Sequence, residues 1–140
     1  MNGYPSPPVI AVIDDDSAYQ FIASRTLMAT KRVDQIIQFP NGREALNFLA
    51  DHIQNPEKLP DIIFLDINMP VTDGWMFLDE FGKVRAGIGK KILIYMVSSS
   101  IDPRDITRAR SNPEVADYFE KPVSIIKFSA LLENFGSRDN

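Results

Sequence analysis

Cysteine is absent from the 140 residues, so a disulfide framework, a thiolate nucleophile and a thiolate metal site are all excluded. That absence fits a reducing compartment. Histidine occurs once, as His52, without the neighbouring ligands that zinc chemistry requires, and it reads as structural. No apolar run approaches the roughly 20 residues that span a bilayer. The N-terminal stretch Met1-Asn2-Gly3-Tyr4-Pro5-Ser6-Pro7-Pro8 lacks the charged-then-apolar order of a signal peptide. A cytoplasmic protein with no membrane partner is expected. The net charge of −4 leaves no basic footprint for nucleic acid. Internal repeats and a Gly-rich phosphate loop are also missing.

The residues that are present describe an ordinary globular chain, 44% hydrophobic and 24% charged, long enough for one domain with a full core. No second, output domain is expected. Three prolines and Gly3 in the first eight residues resist helix, which predicts a flexible or extended arm over 1–8. The folded body is expected over 9–136. Residues 137–140 read as a frayed tail.

Short apolar runs alternate with stretches of helical period, the pattern of a parallel sheet covered on both faces. Five strands are predicted, at Val9 to Ile13, Val33 to Phe39, Ile62 to Leu65, Ile92 to Val97 and Ala116 to Phe119. The last helix is the clearest, with Phe128, Leu131, Leu132 and Phe135 at i, i+3, i+4 and i+7. Asn41 and Glu44 have capping-box spacing ahead of Ala45, Leu46, Leu49 and Ile53. A third helix follows Asp73-Gly74 and buries Phe77, Leu78 and Phe81; the spacing of the aromatics Trp75, Phe77 and Phe81 suits a core better than a ligand box. The fourth begins at Asp102-Pro103, an N-cap followed by a first-turn proline, but its apolar face is little more than Ile106 and Ala109. A helix so weakly anchored is a natural place for movement.

Against this frame the run Ile13-Asp14-Asp15-Asp16 is costly. Three adjacent carboxylates at a strand end repel one another and lose hydration unless a metal ion, a lysine or water intervenes. A plainer reading, favourable charge at a helix start, suits Asp16 best. In open parallel sheets, ligands gather beyond the carboxyl ends of the strands. Asp14 and Asp15 end the first strand, Asp66 the third and Ser98 the fourth, while Lys121 follows the fifth. All five are therefore expected on one rim. Taken alone, Asp66 with Met69-Pro70 and Asp73-Gly74 could be a strand exit and turn, and Lys121 a solvated lysine.

The ordered set Asp14-Asp15, Asp66-Ile67-Asn68-Met69-Pro70 with Asp73-Gly74, Ser98 and Lys121-Pro122 resembles the response-regulator receiver domain of two-component signalling, over about residues 9 to 135. The resemblance implies an α/β fold in which a five-stranded parallel sheet of order 2-1-3-4-5 carries helices on both faces, flavodoxin/CheY-like. It implies Asp66 as phosphoacceptor, and Mg2+ held by Asp15, Asp66 and the backbone carbonyl of Asn68, with Asp14 acting largely through a metal-bound water. Lys121 and Ser98 would contact the phosphoryl oxygens, with Ser99 as the alternative hydroxyl within Ser98-Ser99-Ser100. Tyr118 would be the aromatic that turns inward on activation, or simply packing. A cis peptide is implied at Lys121-Pro122.

The implied partners are a histidine kinase or histidine phosphotransfer protein and an unknown downstream protein, bound through about 99–128. The implied activity is the chain's own Mg2+-dependent phosphorylation and dephosphorylation, with no other catalysis. Three features depart from the family pattern: serine at the hydroxyl position, Ser111-Asn112-Pro113-Glu114 after the fourth helix, and Glu120 beside Lys121. Two other functional classes stand beside the phosphorylated receiver. One is an unphosphorylated adaptor on the same fold, against which the five site groups argue. The other is a phosphoaspartate or nucleotide enzyme, against which stand the lack of Asp-x-Asp at the acceptor and the acids after strand one.

Overall fold

A computed structural model describes residues 7–99 and 102–138. Five parallel strands, β1 (Val9–Ile13), β2 (Gln35–Phe39), β3 (Ile62–Asp66), β4 (Leu93–Ser98) and β5 (Val115–Glu120), form one sheet of order β2-β1-β3-β4-β5. Helices α1 (Ser17–Ala29), α2 (Gly42–Asp51), α3 (Gly74–Val84), α4 (Pro103–Ser111) and α5 (Ile125–Arg138) alternate with them. Short 3-10 turns at Pro56–Lys58 and Arg85–Gly87 lead into β3 and β4.

The central strands are apolar throughout because both faces are covered: β3 and β4 are buried at every residue. Alternate residues feed two cores. Ala11, Ile13, Ile63, Leu65, Ile94 and Met96 pack with α2, α3 and α4. Ile10, Val12, Ile62, Phe64, Tyr95 and Val97 pack with α1 and α5 through Leu27, Phe128 and Leu132. Phe64 meets Phe128 edge-on at 5.0 Å.

Side-chain caps set where the helices begin. Asn41 accepts from the Glu44 amide at 2.8 Å and its own amide donates to the Glu44 carboxylate at 3.3 Å. Asp73 caps α3 through the Met76 amide, and Asp102 caps α4 through the Arg104 amide with Pro103 in the first turn. His52 lies at the end of α2, its Nδ1 2.9 Å from the Phe48 carbonyl and its ring stacked on Phe48.

Some boundaries differ from the pattern in the sequence. β2 starts at Gln35, two residues after Val33, because Lys31 takes a left-handed conformation (φ 60°) and the chain needs the next residues to turn back. Val33 is still buried, beneath α1 and α5. Helix α5 continues through Arg138, beyond the expected end of the body at 136. Most of the expected N-terminal arm, residues 1–6, and the last two tail residues lie outside the described residues; Pro8 is buried at the entry to β1.

No described helix is long and apolar enough to cross a membrane.

Candidate functional site

Strand order reverses between β1 and β3, and this is where parallel sheets open a crevice at their carboxyl ends. The three acids after β1 divide the work there. Asp16 is the N-cap of α1, accepting from the Ala18 and Tyr19 amides at 3.0 and 3.2 Å. Asp14 is buried, and its Oδ1 accepts from the Asp16 amide at 2.9 Å. Asp15 is exposed. Beneath them Gln20 is buried on α1, its Nε2 donating to the carbonyls of Val12, Asp14 and Phe39 at 2.9, 3.2 and 3.1 Å. That amide fastens α1 to the ends of β1 and β2.

Across the switch, Asp66 is the last residue of β3 and is 6% exposed. The Asn68 amide reaches its Oδ1 at 3.4 Å. The loop then closes tightly, the Gly74 amide donating to the Ile67 carbonyl at 2.9 Å. A Cβ on residue 74 would lie 2.7 Å from the Asp66 carbonyl oxygen and 2.9 Å from Ile67 Cα. Only glycine lets α3 start against the backbone that carries Asp66.

The third side comes from β4 and β5. Lys121 leaves β5 through a cis bond to Pro122, and its amide donates to the Ser98 carbonyl at 2.9 Å. Its Nζ lies 2.5 Å from Asp14 Oδ2 and 3.5 Å from Asp66 Oδ1, so its closer carboxylate is that of Asp14. The Tyr19 ring faces the same ammonium, 4.3 Å from ring centroid to Nζ. Ser98 is fully buried at the end of β4, while Ser99 is exposed. Tyr118 is buried, and burial holds its phenol above its ordinary value against an opposing contribution from the nearby Ser98 hydroxyl.

Electrostatics follow from this crowding. Burial first, and then the Asp14 charge, push the Asp66 carboxyl up to about 6, against the opposing pull of Lys121 and the Asn68 amide. Burial, Asp14 and Asp66 likewise hold the Tyr19 phenol well above its ordinary value, so it stays neutral. One carboxylate oxygen from each of Asp14, Asp15 and Asp66 lies within 4.8 Å of the other two. The set is all oxygen and carries more negative charge than Lys121 can offset, which suits a hard divalent cation of the Mg2+ class.

The rim therefore brings together Asp14, Asp15, Asp66 and Lys121, with Ser98 and Tyr118 at its β4–β5 side. Tyr19 and Gln20 were not evident from sequence. Their one signal is position, three and four residues after an N-cap, on the first turn of a helix whose start must sit over the strand ends.

Known proteins share this fold and much of the sequence pattern. The family model for the response regulator receiver domain matches residues 10–133. A two-component response regulator from Cytophaga hutchinsonii has a crystal structure with TM-score 0.86, 30% identity, and coverage of 96% of this chain and 99% of that one. A response regulator receiver protein from Dyadobacter fermentans gives TM-score 0.76 at 25% identity, covering 91% and 96%. The chain is 27% identical to the probable methanogenesis regulatory protein FilR2 of Methanothrix harundinacea, over 91% of this chain and 80% of that protein. It is 30% identical to the sensor histidine kinase CheAY of Helicobacter pylori over 92% of this chain, a match that spans only 16% of that kinase. Fold and family model coincide over nearly the whole length, and the chain belongs to the response regulator receiver family.

Proposed function

We propose that this receiver domain takes a phosphoryl group on Asp66 from a phosphohistidine of a histidine kinase or phosphotransfer protein, in the presence of Mg2+. The observation that carries the reading is the convergence of the Asp14, Asp15 and Asp66 oxygens with the Lys121 ammonium on one strand-end rim. Asp14, Asp15, Asp66 and the Asn68 carbonyl would hold the ion, whose chemistry is to neutralise charge on the transferring group.

The chain's own groups do the rest. An Asp66 carboxylate oxygen forms the new bond to phosphorus as the bond to the donor's imidazole nitrogen breaks. Lys121, freed from Asp14 when a cation meets that carboxylate's charge, moves its ammonium to a phosphoryl oxygen. Ser98 donates its hydroxyl to another, which turns that hydroxyl away from Tyr118. Phosphorylation thus competes directly with the Ser98–Tyr118 contact. The equilibrium shifts by no more than the phosphoryl group's preference for the rearranged state.

Ser98 precedes α4 and Tyr118 lies in β5, so the surface that changes is α4 with β5, within about 99–128. That surface is where a downstream protein would bind. The chain's catalysis is limited to its own phosphorylation and dephosphorylation, and a cytoplasmic regulator is the form that fits. The adaptor alternative uses the same surface without the chemistry.

Incubation with Mg2+ and acetyl phosphate should give a labile mass gain of about 80 Da, one phosphoryl unit. Asp66→Asn should abolish it. Absence of any gain with several small donors and a phosphohistidine protein would leave only the adaptor.

A further inference from the structure

We infer that Tyr19 is a positioning residue for Lys121, its ring holding the ammonium in the phosphorylation site when a cation takes Asp14 from it. The inference rests on the phosphoacceptor reading above. Among the described residues, three groups of the site face the Lys121 ammonium: Asp14 at 2.5 Å, Asp66 at 3.5 Å and the Tyr19 ring at 4.3 Å. Two of the three are carboxylates proposed to hold the cation, so metal binding weakens their hold on the ammonium. A competing divalent charge repels it as well. The ring is the neighbour whose attraction is unaffected by metal, because it comes from a quadrupole and not from a charge.

The surroundings make that attraction count. The Lys121 side chain is 14% exposed, so its ammonium is largely desolvated, the condition in which cation–π contacts are strongest. The phenol stays neutral beside Asp14 and Asp66, leaving the ring face as the group offered to the cation. Tyr19 is itself fixed: its amide is tied to the Asp16 cap, and the next residue, Gln20, is bonded to three strand-end carbonyls. The first turn of α1 is therefore a rigid mount for the ring. A lysine stem has four rotatable bonds, and an ammonium released from Asp14 without a second restraint would spend much of its time in solvent.

Tyr19→Phe keeps the ring and removes the hydroxyl, whereas Tyr19→Leu keeps apolar bulk and removes the ring. With acetyl phosphate and saturating Mg2+, Tyr19→Phe should phosphorylate at about the wild-type rate and Tyr19→Leu roughly three- to tenfold more slowly, the range expected from a desolvated cation–π contact. The side-chain NMR signals of Lys121 near its ammonium should be shifted upfield by the ring current in the wild type and Tyr19→Phe with Mg2+ bound, and should lose that shift in Tyr19→Leu. A merely structural residue would not move those signals selectively. Equal defects in both variants, or a wild-type rate in Tyr19→Leu, would overturn the inference while leaving wild-type phosphorylation intact. Failure of the wild type to accept phosphate would instead sink the phosphoacceptor reading, and this inference with it.

Discussion

Helices α3 and α4 cover the same face of the sheet and are held to it very differently. α3 buries Gly74, Phe77, Leu78 and Phe81, with Phe77 fully enclosed. α4 buries only Ala109, and Ile106 is partly covered. The contact between the two helices includes an Arg108 guanidinium 4.2 Å from the Trp75 ring, which can slide in a way interlocked aliphatic side chains cannot. The division matches the proposed chemistry. The acids stand in the loop after β1 and at the end of β3, from which the chain leads to α3, where geometry has to be kept. Ser98 and Tyr118 lie on the strands before and after α4 and Lys121 just beyond the second, where something has to move.

The comparison is broken most directly by truncating one apolar side chain on each helix. Phe77→Ala should cost about 3–5 kcal/mol, the usual price of emptying a fully buried aromatic site. Ile106→Ala should cost about 1 kcal/mol, since a half-covered side chain leaves little cavity. For a chain of this size each kcal/mol is worth about 2–4 °C in Tm, so thermal unfolding separates the two. Native-state amide exchange should likewise show α4 opening well before α3. Equal costs, or equal protection, would remove the basis for placing the moving surface at α4.

The next effect lies in the firm half. Because burial and Asp14 push the Asp66 carboxyl up to about 6, the folded state binds a proton there more tightly than the unfolded chain does. Stability from this group is therefore greatest below the ordinary aspartate range, declines as pH rises toward 6, and stays at the lower level above it. Asp66→Asn removes the penalty. Without metal at pH 7 it should be more stable than wild type by about 1–2 kcal/mol, with a flatter dependence between pH 4 and 6. Mg2+ should narrow that gap, because the wild type keeps a ligand that the variant lacks. Apparent Mg2+ affinity should fall as pH drops through about 6, where protons compete for Asp66. A wild type that gains stability relative to Asp66→Asn as pH rises from 4 to 7 would show that the carboxylate is stabilised in the fold, contrary to this account.

How far each half could be read from sequence follows the same division. The strands carrying the acids are apolar runs ending in aspartate, and caps such as Asn41 and Asp73 announce their helices. Local pattern suffices there. What escaped is set by how elements dock. β4 and β5 pair Ile94 with Val115 but Tyr95 with Asp117, so Ala116 is an extra residue, and that shift sets Tyr118 opposite Met96 on the face that also receives Ser98. An unbroken register would put Tyr118 opposite Val97 and turn its ring to the other core. Nothing in the sequence around Ala116 signals the bulge. Tyr19 was hidden for a related reason: whether a first-turn residue overlooks the strand ends depends on the angle at which α1 lies on the sheet.

The smallest predicted effect concerns a cost borne within the firm half. Val71, between Asn68 and the α3 cap, has φ 68°, and the Thr72 amide donates to the Pro70 carbonyl at 2.8 Å, closing a γ-turn of the rare positive-φ kind. A β-branched residue is poorly suited to that conformation, and at 89% exposure Val71 gains nothing from packing. The loop can keep it because Thr72 is buried on one side and Met69 on the other, and Gly74 is clamped to Ile67. Val71→Gly should therefore raise stability, by about 0.5–1 kcal/mol once the greater freedom of glycine in the unfolded chain is subtracted. Mg2+ affinity should not rise with it, since a looser loop positions the Asn68 carbonyl less well. An unchanged or lowered Tm would mean that the turn carries no strain, and that the anchoring of α3 leaves the loop nothing to hold against.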